Sequence, residues 1–127
     1  MELVHSGTGT WVHTADGELV DQARRLIRLT VERTVTTGQL TDLVLRAAEQ
    51  AVNPAGWYPP GLAHGQAGSA LLHLYAARAG LGSFSHAFDH IRQAVLATQV
   101  EPLESPGLFA GTSGLALALA GIDRDTE

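Results

Sequence analysis

From residue 18 to 36, Leu19, Ala23, Leu26, Ile27, Thr30, Val31 and Thr34 recur at three- and four-residue steps. Glu18, Arg24, Arg25, Arg28 and Glu32 fall mostly on the opposite side. That period predicts an amphipathic helix, which Asp16 can cap and Thr36-Thr37-Gly38 breaks. A second helix follows, with Leu40, Leu43, Val44, Ala47, Ala48, Ala51 and Val52 in step. Asn53-Pro54 stops it, because the residue before proline is pushed out of the α region. The third helix, about 62 to 79, is apolar nearly all round and ends at Gly80 and Gly82. The fourth, about 85 to 99, carries one stripe of Ala87, Phe88, Ile91, Ala94, Val95 and Thr98. The fifth, about 108 to 120, is again apolar on all sides. An all-round apolar helix followed by a one-sided one fits an inner and an outer layer. Residues 1–15 have no period and are read as an irregular lead-in; residues 16–127 form the domain.

The inner segments share a motif. Pro60-Gly61-Leu62-Ala63-His64-Gly65-Gln66-Ala67-Gly68-Ser69-Ala70-Leu71 returns 46 positions on as Pro106-Gly107-Leu108-Phe109-Ala110-Gly111-Thr112-Ser113-Gly114-Leu115-Ala116-Leu117. Gly61, Gly65 and Gly68 thus recur as Gly107, Gly111 and Gly114. Two copies in register mark a repeat architecture, in which one unit cannot bury its apolar face alone. A glycine inside a helix costs roughly 1 kcal/mol against alanine, so these six demand a return. The preferred reading is close approach of neighbouring backbones. The alternative is an anion cradle at a helix start, but neither copy ends in the Lys-Ser/Thr of a P-loop.

These residues resemble the first two repeats of the lanthionine synthetase C-like family, the lantibiotic cyclases and their stand-alone relatives. The resemblance covers roughly residues 18 to 122, most specifically 56–80 and 105–120. It implies an all-α fold, an incomplete α/α toroid of helical hairpins with a GxxG-type motif opening each inner helix. The complete family toroid has seven hairpins, which implies a chain about three times longer than this one. The expectation is therefore an N-terminal portion that ends in mid-repeat. Family members use zinc, held by two Cys and one His, to form thioether rings on a ribosomally made peptide. The resemblance implies a precursor peptide or a dehydratase as partner.

Composition alters that picture in one respect. The chain has no Cys, so it offers no thiolate ligand and no disulfide. No zinc ligand is transferred to any residue, no cofactor is assigned to this chain, and catalysis by it alone is not expected. The formal charge is −5, and the one adjacent basic pair, Arg24-Arg25, lies in a helical pattern, which argues against nucleic acid. No apolar run reaches the ~20 residues of a membrane span and no secretory signal is seen, so the cytoplasm is the default.

No residue is given a catalytic role. His64 is the one candidate, because family members use a His in the His-Gly-x-x-Gly motif of a middle repeat. The position of His64 matches a first repeat, where it reads as structural. His86 and His90 have metal-ligand spacing with Asp89 nearby, but lack a convergent third ligand and are read as a solvated pair. His73 reads as a satisfied core or interface histidine. Trp57 and Tyr58 are read as packing where the loop enters the inner layer. Gly7-Thr8-Gly9 is no dinucleotide fingerprint. Two other readings stand beside the cyclase one. The chain could be a non-catalytic repeat module that binds a peptide or partner protein. It could also be a carbohydrate-active or terpenoid-cyclising toroid, against which weighs the lack of Asp or Glu in 61–80 and 107–120. Self-association is expected, because the fifth helix needs cover on all faces.

Overall fold

In the computed structural model, the residues described are 3–5, 11–13, 17–54 and 56–124. They form five helices: α1 Gly17–Arg33, α2 Thr37–Gln50, α3 Gln66–Arg78, α4 Phe84–Ala97 and α5 Thr112–Asp123. The lead-in differs from its sequence reading. β1 Leu3–His5 pairs antiparallel with β2 Trp11–His13, with Val4 opposite Val12. Strands of three residues are too short for a period to register. Gly7-Thr8-Gly9 and the Asp16 cap lie outside the described residues.

Helix α3 is the centre. It packs against α4 and α5, and α4 also touches α5. The main core joins Ala67, Ala70 and Leu74 of α3, Ala87, Ile91 and Ala94 of α4, and Leu115, Ala118 and Ile122 of α5. Alanines at these crossings let the helix axes come close. The end of α3 is set by Gly80, at φ 74°: Gly80 N–H donates to Ala77 C=O and Leu81 N–H to Ala76 C=O. This pair of bonds is a Schellman motif, which only a residue at ease with positive φ accommodates. It folds Leu81 back onto Ala76, and Val31 of α1 completes that second small cluster.

Helices α1 and α2 sit more loosely. Of the apolar stripe read on α1, Val31 is buried, while Leu19, Leu26 and Ile27 are exposed. On α2 only Leu40 is buried. Helix α2 opens with a capping box: Gln39 N–H donates to Thr36 Oγ1 at 3.1 Å and Thr36 N–H to Gln39 Oε1 at 3.0 Å. The Thr-x-x-Gln spacing announces such a box, so Thr36-Thr37-Gly38 is a helix start as well as a break. Helices α3 and α5 begin later than the periodicity suggests, at Gln66 and Thr112 rather than about 62 and 108. No helix among the described residues is long and apolar enough to cross a membrane.

Candidate functional site

The late starts of α3 and α5 follow from what the glycines do. Gly65 and Gly111 are the N-caps, without a side-chain cap. The first helical N–H groups are taken by the loops that precede them: Gln66 N–H donates to Pro59 C=O at 2.8 Å, and Thr112 N–H to Ser105 C=O at 2.9 Å. Donor and acceptor have each moved by the motif offset of 46 positions. A Cβ on Gly65 would run into Tyr58 O and the backbone of Gly61; one on Gly111 would run into Ser105 O and the backbone of Gly107. A Cβ on Gly68 or Gly114 would strike Leu62 O or Leu108 O. The close approach is therefore mainly between each helix start and its own entry loop. Approach across the repeat is the smaller part, with Phe109 C=O against Gly61 and Leu62 Cβ against Gly114. The anion-cradle alternative also loses its leading donors, since Gln66 N–H and Thr112 N–H are already bonded.

The two entry loops touch. Leu62 N–H and Ala63 N–H both donate to Phe109 C=O, at 2.9 and 3.0 Å. Leu62 Cβ lies 3.0 Å from where a Gly114 Cβ would stand. Trp57 and Tyr58 are half-buried at this junction, and Tyr58 Oη donates to Pro102 C=O at 3.3 Å. His64 is exposed, and its carbonyl accepts from Tyr58 N–H at 2.8 Å. His64 lines a cleft of about 500 Å³ between α2 and the start of α3, with Val44, Ala47, Ala51, Trp57, Leu62 and Leu72.

The other histidines gather elsewhere, around the end of α1. His73 and His90 are both fully buried, with ring centroids 4.8 Å apart. His86, half-buried, meets His73 edge to face at 5.7 Å. The reading of His86 and His90 as a solvated pair is thus corrected. His90 is on the inner side of α4, sharing a face with buried Ala87 and Ala94 at three- and four-residue steps, while Asp89 is exposed. His73 Nε2 donates to Thr34 C=O at 2.9 Å and lies 3.0 Å from Thr34 Oγ1. His90 Nε2 donates to the same carbonyl at 2.7 Å. The Thr34 hydroxyl gives its own proton to Thr30 C=O, at 2.8 Å. One carbonyl just past the end of α1 therefore takes an N–H from α3 and another from α4.

These bonds fix the tautomers. With Nε2 protonated, a neutral His73 has a bare lone pair on Nδ1, and that atom is buried with no partner. His73 is thus satisfied on one side only. His90 Nδ1 lies 2.7 Å from the Gln66 side-chain amide. A neutral His90 needs a donor there, so Gln66 presents its NH₂ group; the oxygen and nitrogen of an amide are interchangeable in shape. Burial lowers His73 from 6.5 to about 4, helped by His90 and, more weakly, by His86; the bond to Thr34 C=O opposes the shift. His90 is lowered by burial above all, with Thr34 C=O and Asp89 opposing and His86 assisting. Both rings are neutral at pH 7.

The donor set does not suit zinc of the family kind. There is no Cys, and the Nε2 atoms of His73 and His90 are committed to Thr34. No group of three or more His, Cys, Asp or Glu among the described residues is placed to hold a metal. No protein-family model, no curated protein and no solved structure matches the chain.

Proposed function

We propose that the chain is the opening part of a lanthionine synthetase C-like α/α toroid, with α3 and α5 as inner helices and α4 between them as an outer one. In this reading it forms wall and scaffold for thioether formation on a peptide, and the thiolate zinc ligands belong to later repeats of the same toroid. The observation that supports it most is the shared helix entry: the same glycines, the same loop-to-helix bond, and one loop bonded to the next through Phe109 C=O. In the second copy, Leu108 N–H and Phe109 N–H occupy the positions of the donors Leu62 and Ala63. Neither has a backbone acceptor among the described residues. Beside them Leu108, Phe109, Leu117 and Leu119 are exposed, Phe109 to 67%. Donors and apolar surface together suit a further unit of the same kind.

Two measurements test this. Reading in-frame coding DNA beyond codon 127 should reveal further glycine motifs, a Cys and a Cys-His pair; their absence contradicts the cyclase reading. Light scattering across a concentration series should show the isolated chain self-associating. A sharp monomer that persists to high concentration and melts cooperatively overturns the proposed open edge. The second reading, a non-catalytic module that binds peptide, is favoured by the apolar cleft between α2 and α3. It predicts that a Cys-containing precursor peptide binds the chain without cyclising and that Trp57→Ala weakens the binding.

A further inference from the structure

The exposed faces of α1 and α2 leave few attachments for these two helices, α1 touching α3 and α2 touching α4. Helix α1 is held at its last turn, by Val31 against Ala76 and Leu81 and by Thr34 beneath the two histidines. Residues 17–30 are otherwise largely exposed. On α2, Leu40 is the buried anchor. We propose that His73 is an acid-sensitive latch: a proton arriving at its Nδ1 releases α1 and α2 from α3 and α4 and opens the apolar cleft between α2 and α3.

The geometry makes His73 the sensitive member. Its Nε2 proton is used by Thr34, so an added proton must go to Nδ1, which is buried and has no acceptor. The product would be a charged, unpaired donor 4.8 Å, centroid to centroid, from the ring of His90. His90 can take a proton more easily, since Gln66 need only turn its amide to offer the oxygen. Once α1 and α2 move away, both rings reach water and the proton is solvated. The titratable groups bearing on the two rings are His86 and Asp89 of α4, besides each other. Asp89 favours the charged form of His90 only. Glu32 and Arg33 of α1, Asp42 and Arg46 of α2, Arg78 of α3, Arg92 of α4 and Asp123 and Arg124 of α5 are exposed.

The sign follows from linkage. The closed state holds His73 at about 4 and the open state returns it to 6.5. The latch is therefore fully effective above 6.5 and weakens as pH falls from there towards 4. Between pH 7.5 and 5.0 the opening constant should rise about 30-fold from His73 alone. The lower pH stays above the ordinary carboxylate range.

Amide hydrogen exchange read by mass spectrometry tests this on the intact chain. The samples are kept dilute because the isoelectric point of about 5.6 lies inside the window. After correction for intrinsic rates, segments in 31–50 should lose protection by about 30-fold at pH 5.0, while 66–78 and 84–97 keep theirs. In His73→Gln, which retains an N–H donor but cannot charge, the loss should shrink to the smaller share that His90 contributes. Equal loss in that variant, no loss in the wild type, or simultaneous loss across all helices overturns the latch. If His73→Gln does not fold, NMR titration of the wild-type ring protons decides. Release of α1 and α2 at a pH where His73 has not begun to titrate also overturns it; a shared midpoint supports it.

Discussion

Helices α1 and α3 use apolar residues in opposite ways. On α1 they form a single stripe, the pattern usually taken to mark a core face, yet Leu26 is 65% exposed and only Val31 is buried. On α3 they are spread around the helix, yet Ala67, Ala70, Leu74 and Ala76 are all buried. The difference lies in what the rest of the chain supplies. Helix α3 meets α4, α5 and the end of α1 on different sides, so a helix without a polar face suits it. Helix α1 has the pattern for one partner surface, and among the described residues only its last turn finds one. A periodic stripe states a capacity for burial; it does not name the cover.

The contrast can be broken most sharply at the helix entries of the central layer. Gly65→Leu and Gly111→Leu each force a side chain into backbone rather than into a yielding side chain. Overpacking commonly costs about 1–3 kcal/mol, and here the loop must move bodily, so the cost should lie at or above that range. Loss of soluble protein or of a cooperative melt is the expected result, and tolerance of both leucines would show that the close approach is dispensable. Next in size is Leu74→Ala, which empties space in the main core and should cost about 2–5 kcal/mol in denaturant titration. A loss below 1 kcal/mol would mean that α3 is not the packed centre.

Smaller effects probe the loose half. Thr36→Ala removes one arm of the capping box and should cost about 1 kcal/mol, read as a lower midpoint of thermal unfolding. At the bottom of the scale, Leu26→Ser and His64→Ala should each stay within about 0.5 kcal/mol of the wild type, since both side chains are exposed. A penalty for Leu26→Ser equal to that of Leu74→Ala would reveal a cover for the α1 stripe and remove the contrast.

The sequence by itself determined the five helices, their order and nearly all their breaks, because these rest on local causes: apolar period, Asn53-Pro54, and the glycines after α3. It also marked the two equivalent helix entries, since a motif repeated in register needs no knowledge of the fold. The entry points of α3 and α5 escaped it, because Gly61–Gly65 and Gly107–Gly111 continue an apolar pattern while serving as loop. Only the tertiary structure decided what lies against the glycines, which is mainly the chain's own preceding loop and, at Gly61 and Gly114, also the neighbouring repeat. Only it brought His73, His86 and His90 to the end of α1. Thr34 is 39 residues from His73 and 56 from His90, and no spacing rule links positions so far apart. The burial that keeps both rings neutral is a property of the packed helices, not of the residues themselves.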